Sequence, residues 1–212
     1  MATEIEIKLQ APSVEVLQNA LASPELAQFI RDDPITIHMS TVYYDTPSGF
    51  LRDRHWTLRL RAEGEARIAA MKTVSEVTPD GMFTRGEWQC RCEKIEQAVP
   101  QLVEQGAPKA LLNALDEGLI PICTAEFERQ STYLYMEDGV CIEMVGDVGF
   151  LYAGGRQEEI CELELELLFG SATALPPLCA HLEEDYGLVS ETRSKYGRAL
   201  ALMEQAAAEE EA

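Results

Sequence analysis

The segment ICELELELLFG at 160–170 places Leu163, Leu165 and Leu167 in alternation with Glu162, Glu164 and Glu166. Successive strand residues point to opposite faces, so this period of two sorts the leucines from the glutamates. Same-face neighbours then stand about 6.6–6.8 Å apart. Three carboxylates in such a row repel one another, and each ionisation makes the next harder. A fold that contains this strand must set positive charge against it. EIEIK at 4–8 repeats the arrangement, with Glu4, Glu6 and Lys8 opposed to Ile5 and Ile7. LRLR at 58–61 does so with Arg59 and Arg61 against Leu58 and Leu60.

A half-buried strand sends its polar side to water, and that explains any one of these segments alone. It explains the set less well, because solvent faces mix interchangeable side chains, whereas here one row carries only Glu, another only Arg and a third Glu, Glu and Lys. About eight strands are legible, at 3–10, 36–46, 56–63, 67–74, 82–92, 122–136, 139–152 and 157–169. Turn signals stand at AEGEA (62–66), TPDG (78–81), MEDG (136–139) and AGG (153–155). Helical patterns cover 13–23, 24–30, 107–118, 172–186 and 194–208. A sheet of eight strands can close with its charged face inward while helices cover the apolar outside. Inside such a lumen the acidic rows offer hard oxygen ligands to Mg²⁺ or Mn²⁺, and the basic rows offer donors to phosphate. The chemistry suits a metal-bound polyphosphate.

Composition narrows the class. The net charge of −20 argues against general nucleic-acid binding, which needs a positive footprint. No apolar run is long enough to span a membrane as a helix, and the start MATEIEIKLQ has no signal-peptide pattern, so a cytoplasmic location is expected. Cys90 and Cys92 lack a second C-x-C partner, and His38, His55 and His181 are scattered. Buried reduced thiols therefore fit better than zinc or disulfides. The expected organisation is α+β: one domain over 1–205 and an acidic tail over 206–212.

E-x-E-x-K beside the N-terminus resembles the signature of the CYTH superfamily, the triphosphate tunnel metalloenzymes. Further matching pieces follow in order: YYDTP (43–47), LRLR (58–61), MK (71–72), TRGEWQ (84–89), FER (127–129), ELELE (162–166) and SKYGRAL (194–200). The resemblance covers about residues 3–202 and leans towards the bacterial inorganic triphosphatase branch. It implies an eight-stranded antiparallel tunnel that cleaves a phosphoanhydride with Mg²⁺ or Mn²⁺. Many members of that branch carry a second, helical domain, which this sequence does not show. A homodimer is compatible with the resemblance.

Residue roles follow from the match. Glu4, Glu6, Glu162, Glu164 and Glu166 are expected to hold one or two metal ions. Lys8, Arg59, Arg61, Lys72, Arg85, Arg129, Lys195 and Arg198 are expected to hold the triphosphate, with Lys195 on a helix that closes one mouth. Glu4, Glu6, Lys8, Lys72 and Glu164 form the expected catalytic set. Gln89 departs from the family pattern and leaves its strand, with Glu87, an orienting role. Glu143 and Asp147 are either extra polar groups near the metals or ordinary strand residues. Glu126 and Glu128 stand where some relatives carry a base and are expected to trim the phosphate grip. Tyr43, Tyr44 and Trp56 either shape a tunnel mouth or pack in a core.

No G-x-S-x-G, P-loop or Cys–His spacing supplies a nucleophile. Direct attack of water on a terminal phosphorus is then the expected reaction, with charge neutralisation doing most of the catalysis. A class IV-like adenylate cyclase or a thiamine triphosphatase shares the scaffold and stays open. So does a non-catalytic polyphosphate-binding module. A purely structural acidic β protein would leave the arginine and lysine rows without a reason.

Overall fold

Strands form wherever the alternation runs. In a computed structural model that describes residues 2–73, 76–77 and 82–210, they are β1 (Ala2–Gln10), β2 (Ile35–Asp45), β3 (Thr57–Glu63), β4 (Ala66–Lys72), β5 (Glu76–Val77), β6 (Met82–Arg91), β7 (Ile120–Tyr135), β8 (Cys141–Ala153), β9 (Arg156–Phe169) and β10 (Val189–Ser190). The short β5 and β10 carry too few residues to show a pattern. The turn expected at 78–81 lies outside the described residues.

The ring runs β1–β9–β8–β7–β2–β3–β4–β6, and β6 returns to pair with β1. Every pairing in it is antiparallel. The eight-stranded closed barrel expected from the sequence is therefore present, with β10 and β5 added at the outside of β1 and β6.

Among the described residues six α-helices cover it: α1 (Val14–Leu21), α2 (Pro24–Ala27), α3 (Ile95–Glu104), α4 (Leu111–Glu117), α5 (Leu175–Tyr186) and α6 (Lys195–Glu210). α1 starts where the Ser13 hydroxyl accepts the Val16 N–H at 3.2 Å, satisfying one of the unpaired donors at a helix start. Leu17 and Leu21 of α1 and Leu178 and Leu182 of α5 pack on the outward leucines of β9, Leu163 and Leu165. Burying each such side chain contributes roughly 1.5–3 kcal/mol.

α3 has no counterpart in the sequence reading, because Pro100 sits inside it. Proline removes an N–H and crowds the preceding turn. Ile95, Ala98, Val99 and Leu102 nonetheless share one face, and it closes on Leu58, Met71 and Trp88. That burial outweighs the local cost. Tyr44 and Trp56 belong to the same cluster and serve as packing.

α6 packs at one end of the barrel. Tyr196, Ala199 and Leu202 meet Cys123, Ala125, Leu151, Ala153 and Ile160, so the barrel at this end is filled by apolar contacts. Tyr43 stacks on Tyr196 at 5.6 Å between centroids. The helix continues to Glu210, two residues past the 194–208 expected from the sequence and into the acidic end. The YYDTP loop is tied by Asp45, whose carboxylate accepts the N–H groups of Thr46, Leu51 and Arg52 at 2.8, 2.7 and 3.1 Å. Among the described residues no helix is long and apolar enough to cross a membrane.

Candidate active site

Closing the barrel gathers the charged rows around an interior cavity of about 400 Å³. Its wall includes Glu4, Glu6, Lys8, Arg59, Arg61, Lys72, Arg85, Arg129, Glu164, Glu166 and Lys195, all expected from the sequence. Glu87, Gln89 and Glu143 also line it. Two expected residues do not. Glu162 is 1% exposed and Arg198 2%, and neither lines the cavity. Arg198 donates to Glu158 at 2.6 Å, to Glu162 at 2.9 Å and to the Glu159 carbonyl at 2.5 Å. Its guanidinium is occupied by the protein, which corrects the expectation that it meets substrate.

Register explains the acidic side. Glu6 stands opposite Glu166 on β9, and Glu166 stands opposite Glu143 on β8. Like charges placed directly across a ladder destabilise it. Some of that charge is balanced. Lys72 donates to Glu4 at 2.6 Å, Arg85 Nε donates to the other Glu4 oxygen, and Arg85 Nη2 reaches Glu6 at 2.7 Å. Burial opposes ionisation of Glu4, but Lys72 and Arg85 outweigh it and hold the carboxyl well below the usual range. Glu166 has no cation on it among the described residues. Burial, followed by the charge of Glu4, pushes it up to about 8.

Glu4, Glu6 and Glu166 can each offer an oxygen within 4.8 Å of the others. A hard oxygen set with one carboxyl that lacks a cation fits a divalent metal ion. Asp147, Glu162 and Glu164 form a second group with the same spacing. Asp147 is fully buried, and Arg129 grips it through Nε at 2.7 Å and Nη2 at 2.6 Å. Lys195 reaches it at 2.7 Å. Burial works against the charge on Glu164, yet Lys195, Arg129 and Lys8 hold its carboxyl well below the usual range.

The basic side is less well matched. Arg59 and Arg61 face Tyr43 and Thr41 across the β2–β3 ladder, and the buried Nε of each has no hydrogen-bond partner among the described residues. Burial and the neighbouring charges of Arg59 and Arg129 bring Arg61 down to about 10. Glu87 lies 4.0 Å from Arg59 and Glu63 pairs with Arg61, yet each buried Nε remains a donor that an anion can take.

Glu87 accepts from Gln89 at 2.7 Å and lies 3.5 Å from Lys72. Gln89 thus holds the Glu87 carboxylate through its side-chain amide. Glu126 and Glu128 point outward instead, to His38 at 3.1 and 2.9 Å, so they do not reach the lumen. Sequence reasoning missed an uncharged ledge in the wall: Ile35, Ile37 and Met39 of β2 beside Tyr133 of β7. The available signal was the row Ile35, Ile37, Met39, which lacks the charge its counterparts on β1, β3 and β9 carry.

A model of the CYTH domain matches residues 2–199. An inorganic triphosphatase of Haemophilus influenzae is 27% identical over 204 residues, a stretch that covers 93% of this chain and 54% of that protein. The chain therefore spans about half the length of this curated relative. Among solved structures, a candidate adenylyl cyclase of Hippeastrum with a dominant triphosphatase activity superposes with a TM-score of 0.63 at 19% identity, over 95% of each chain. A Pyrococcus horikoshii protein gives 0.54 at 16% identity, over 92% of this chain and 98% of its own. At such identities the likeness shows the fold.

Proposed function

The chain belongs to the CYTH domain family, and from that premise we propose that it hydrolyses inorganic triphosphate to pyrophosphate and phosphate in its charged tunnel, with a divalent metal ion. The observation that carries this reading is the imbalance among the side chains that line the lumen. Arg59 and Arg61 keep buried donors without partners, while Glu166 keeps a carboxyl without a cation. A polyphosphate with its metal ion supplies both missing partners. The inorganic triphosphatase activity of the Haemophilus relative agrees with it.

Glu4, Glu6 and Glu166 are the residues that would hold Mg²⁺ or Mn²⁺. Such an ion, when bound, neutralises phosphate oxygens and lowers the pKa of coordinated water. Arg59, Arg61, Arg129 and Lys195 would grip the phosphate chain, since all of them line the cavity. Their fixed positive charge matches the charge spread over the transferred group and left on the pyrophosphate. Water attacks the terminal phosphorus, the bond to its bridging oxygen breaks, and one proton leaves to solvent. The serines in the wall do not act as nucleophiles in this scheme. Ser131 donates to Glu143 at 2.5 Å, and Ser194 accepts the Gly197 N–H at 3.0 Å. The setting in this reading is the cytoplasm, and the partner is a triphosphate-bearing small molecule.

A second reading rests on the uncharged ledge. Ile35 is 56% exposed beside the cavity, and apolar surface at the edge of a polar site suits an organic group. A nucleoside or thiamine triphosphate would then enter phosphates first. Phosphate release from tripolyphosphate, ATP and thiamine triphosphate, each with Mg²⁺, Mn²⁺ or chelator, decides between them. Metal-dependent release from tripolyphosphate alone supports the first reading, and release confined to an ester supports the second. No release from any of them, with tripolyphosphate still raising the melting temperature, moves the protein to a binding role.

A further inference from the structure

The two carboxylate groups share their spacing but differ in what already sits on their oxygens. In the second group Asp147 Oδ1 accepts from Arg129 at 2.7 Å. Asp147 Oδ2 accepts from Arg129 at 2.6 Å and from Lys195 at 2.7 Å. Glu164 accepts from Arg129 at 2.9 Å on one oxygen and from Lys195 at 3.1 Å on the other. Glu162 takes Arg198 at 2.9 Å, and its remaining oxygen lies against the Lys195 ammonium. Each oxygen of the group thus faces a cation. Arg129, Lys195 and Arg198 offset the three negative charges, with Lys8 a further 3.9 Å from Glu164.

This balance is required by depth. Asp147 is 0% and Glu162 1% exposed, and carboxylates taken that far from water persist only when paired. Lys195 and Arg198, three residues apart, share a face of α6, so one helix delivers both cations to one place. A divalent ion seated there would meet two guanidinium groups and an ammonium at close range, and their repulsion opposes it. Arg129 and Lys195 also line the cavity, so whatever holds them fixes the cations offered to the lumen.

We propose that Asp147, Glu162 and Glu164 bind no divalent ion in this chain and act as positioning residues: a socket that docks α6 through Lys195 and Arg198 and aims Arg129 and Lys195 at the phosphate chain. The part of this that concerns phosphate rests on the triphosphatase reading; the part that concerns metal does not.

The test is Mn²⁺ binding to the metal-free full chain without any phosphate, followed by electron paramagnetic resonance. Wild type should show a single high-affinity site. Glu6→Gln should weaken it by about tenfold or more, the scale on which metal-site partners act. Asp147→Asn should leave it within about twofold, far less than that scale. Lys195→Met should uncover the socket and add a second site, or be stabilised by Mn²⁺ where wild type gains less. Two high-affinity sites in wild type overturn the proposal, as does Lys195→Met without an added site or Mn²⁺ stabilisation. The wild-type stoichiometry decides even when Asp147→Asn does not fold. With tripolyphosphate as substrate, Asp147→Asn should raise KM by about tenfold, the loss of roughly 1.4 kcal/mol of binding. Wild type that binds one Mn²⁺ yet leaves tripolyphosphate intact would sink the proposed function and spare the socket.

Discussion

Replacing Arg61 by methionine should make the protein more stable and a worse catalyst. Arg61 is 12% exposed, and burial together with Arg59 and Arg129 lowers its value from the ordinary 12.5 to about 10. At 1.36 kcal/mol per pH unit, that places a penalty of about 3 kcal/mol on the charged form in the lumen. The sign is fixed by the protonation states. At pH 7 the group is charged both folded and unfolded, so the penalty is fully present, and it shrinks only as pH rises above 10. That penalty already includes the attraction of Glu63, which is 20% exposed and can turn to water once Arg61 is gone, and solvent screening of the pair reduces it to about 1–2 kcal/mol. The net gain of about 1–2 kcal/mol corresponds to a Tm higher by roughly 2–8 °C in a chain of this size. Against tripolyphosphate the balance reverses. A lost charge-assisted hydrogen bond costs about 1.5–3 kcal/mol, or roughly 10–150-fold in KM. Differential scanning fluorimetry with and without tripolyphosphate, together with steady-state kinetics, measures both sides. A variant that melts lower than wild type and keeps its KM would show that Arg61 is a structural ion-pair partner and refute the reasoning.

Gly149→Ala should destabilise the barrel by about 1–3 kcal/mol, as overpacking does. An added Cβ there would run into the Glu126 carbonyl and the Phe127 backbone of the neighbouring strand, and an unchanged urea midpoint would contradict this. His38 should titrate above the ordinary imidazole value, chiefly through its hydrogen bond to Glu128. Its contribution to stability is then full below the unfolded value and lost as pH rises through the folded one. Proton NMR should show the raised midpoint fall back in Glu128→Gln, and a midpoint unmoved by that change would remove the assignment.

A strand's period of two is a local property of the backbone, so EIEIK, LRLR and ELELE displayed their two faces in the bare sequence. The charged rows, taken together, also indicated that the polar face turns inward, and with enough strands that means a closed barrel. The sequence could not show α3, because Pro100 reads as a breaker until Trp88 and Met71 are seen beneath it. It could not show the ledge either, since Ile35 and Tyr133 lie far apart in the chain and become neighbours through the β2–β7 register.

Charge balance is the property that belongs wholly to the tertiary structure. Glu162, Glu164 and Glu166 look equivalent along β9. Two of them end under Lys195, which α6 brings from another part of the chain, and the third is left with Glu4 and Glu6. Arg198 matched a substrate-binding motif, yet the way α6 seats turns it toward Glu158 and Glu162. Coulomb interactions depend on separation in space, and register and helix docking set those separations between residues tens of positions apart. Alternation therefore fixed which side chains enter the tunnel. Only the closed fold decided that Glu162 and Glu164 hold cations while Glu166 is left without one among the described residues.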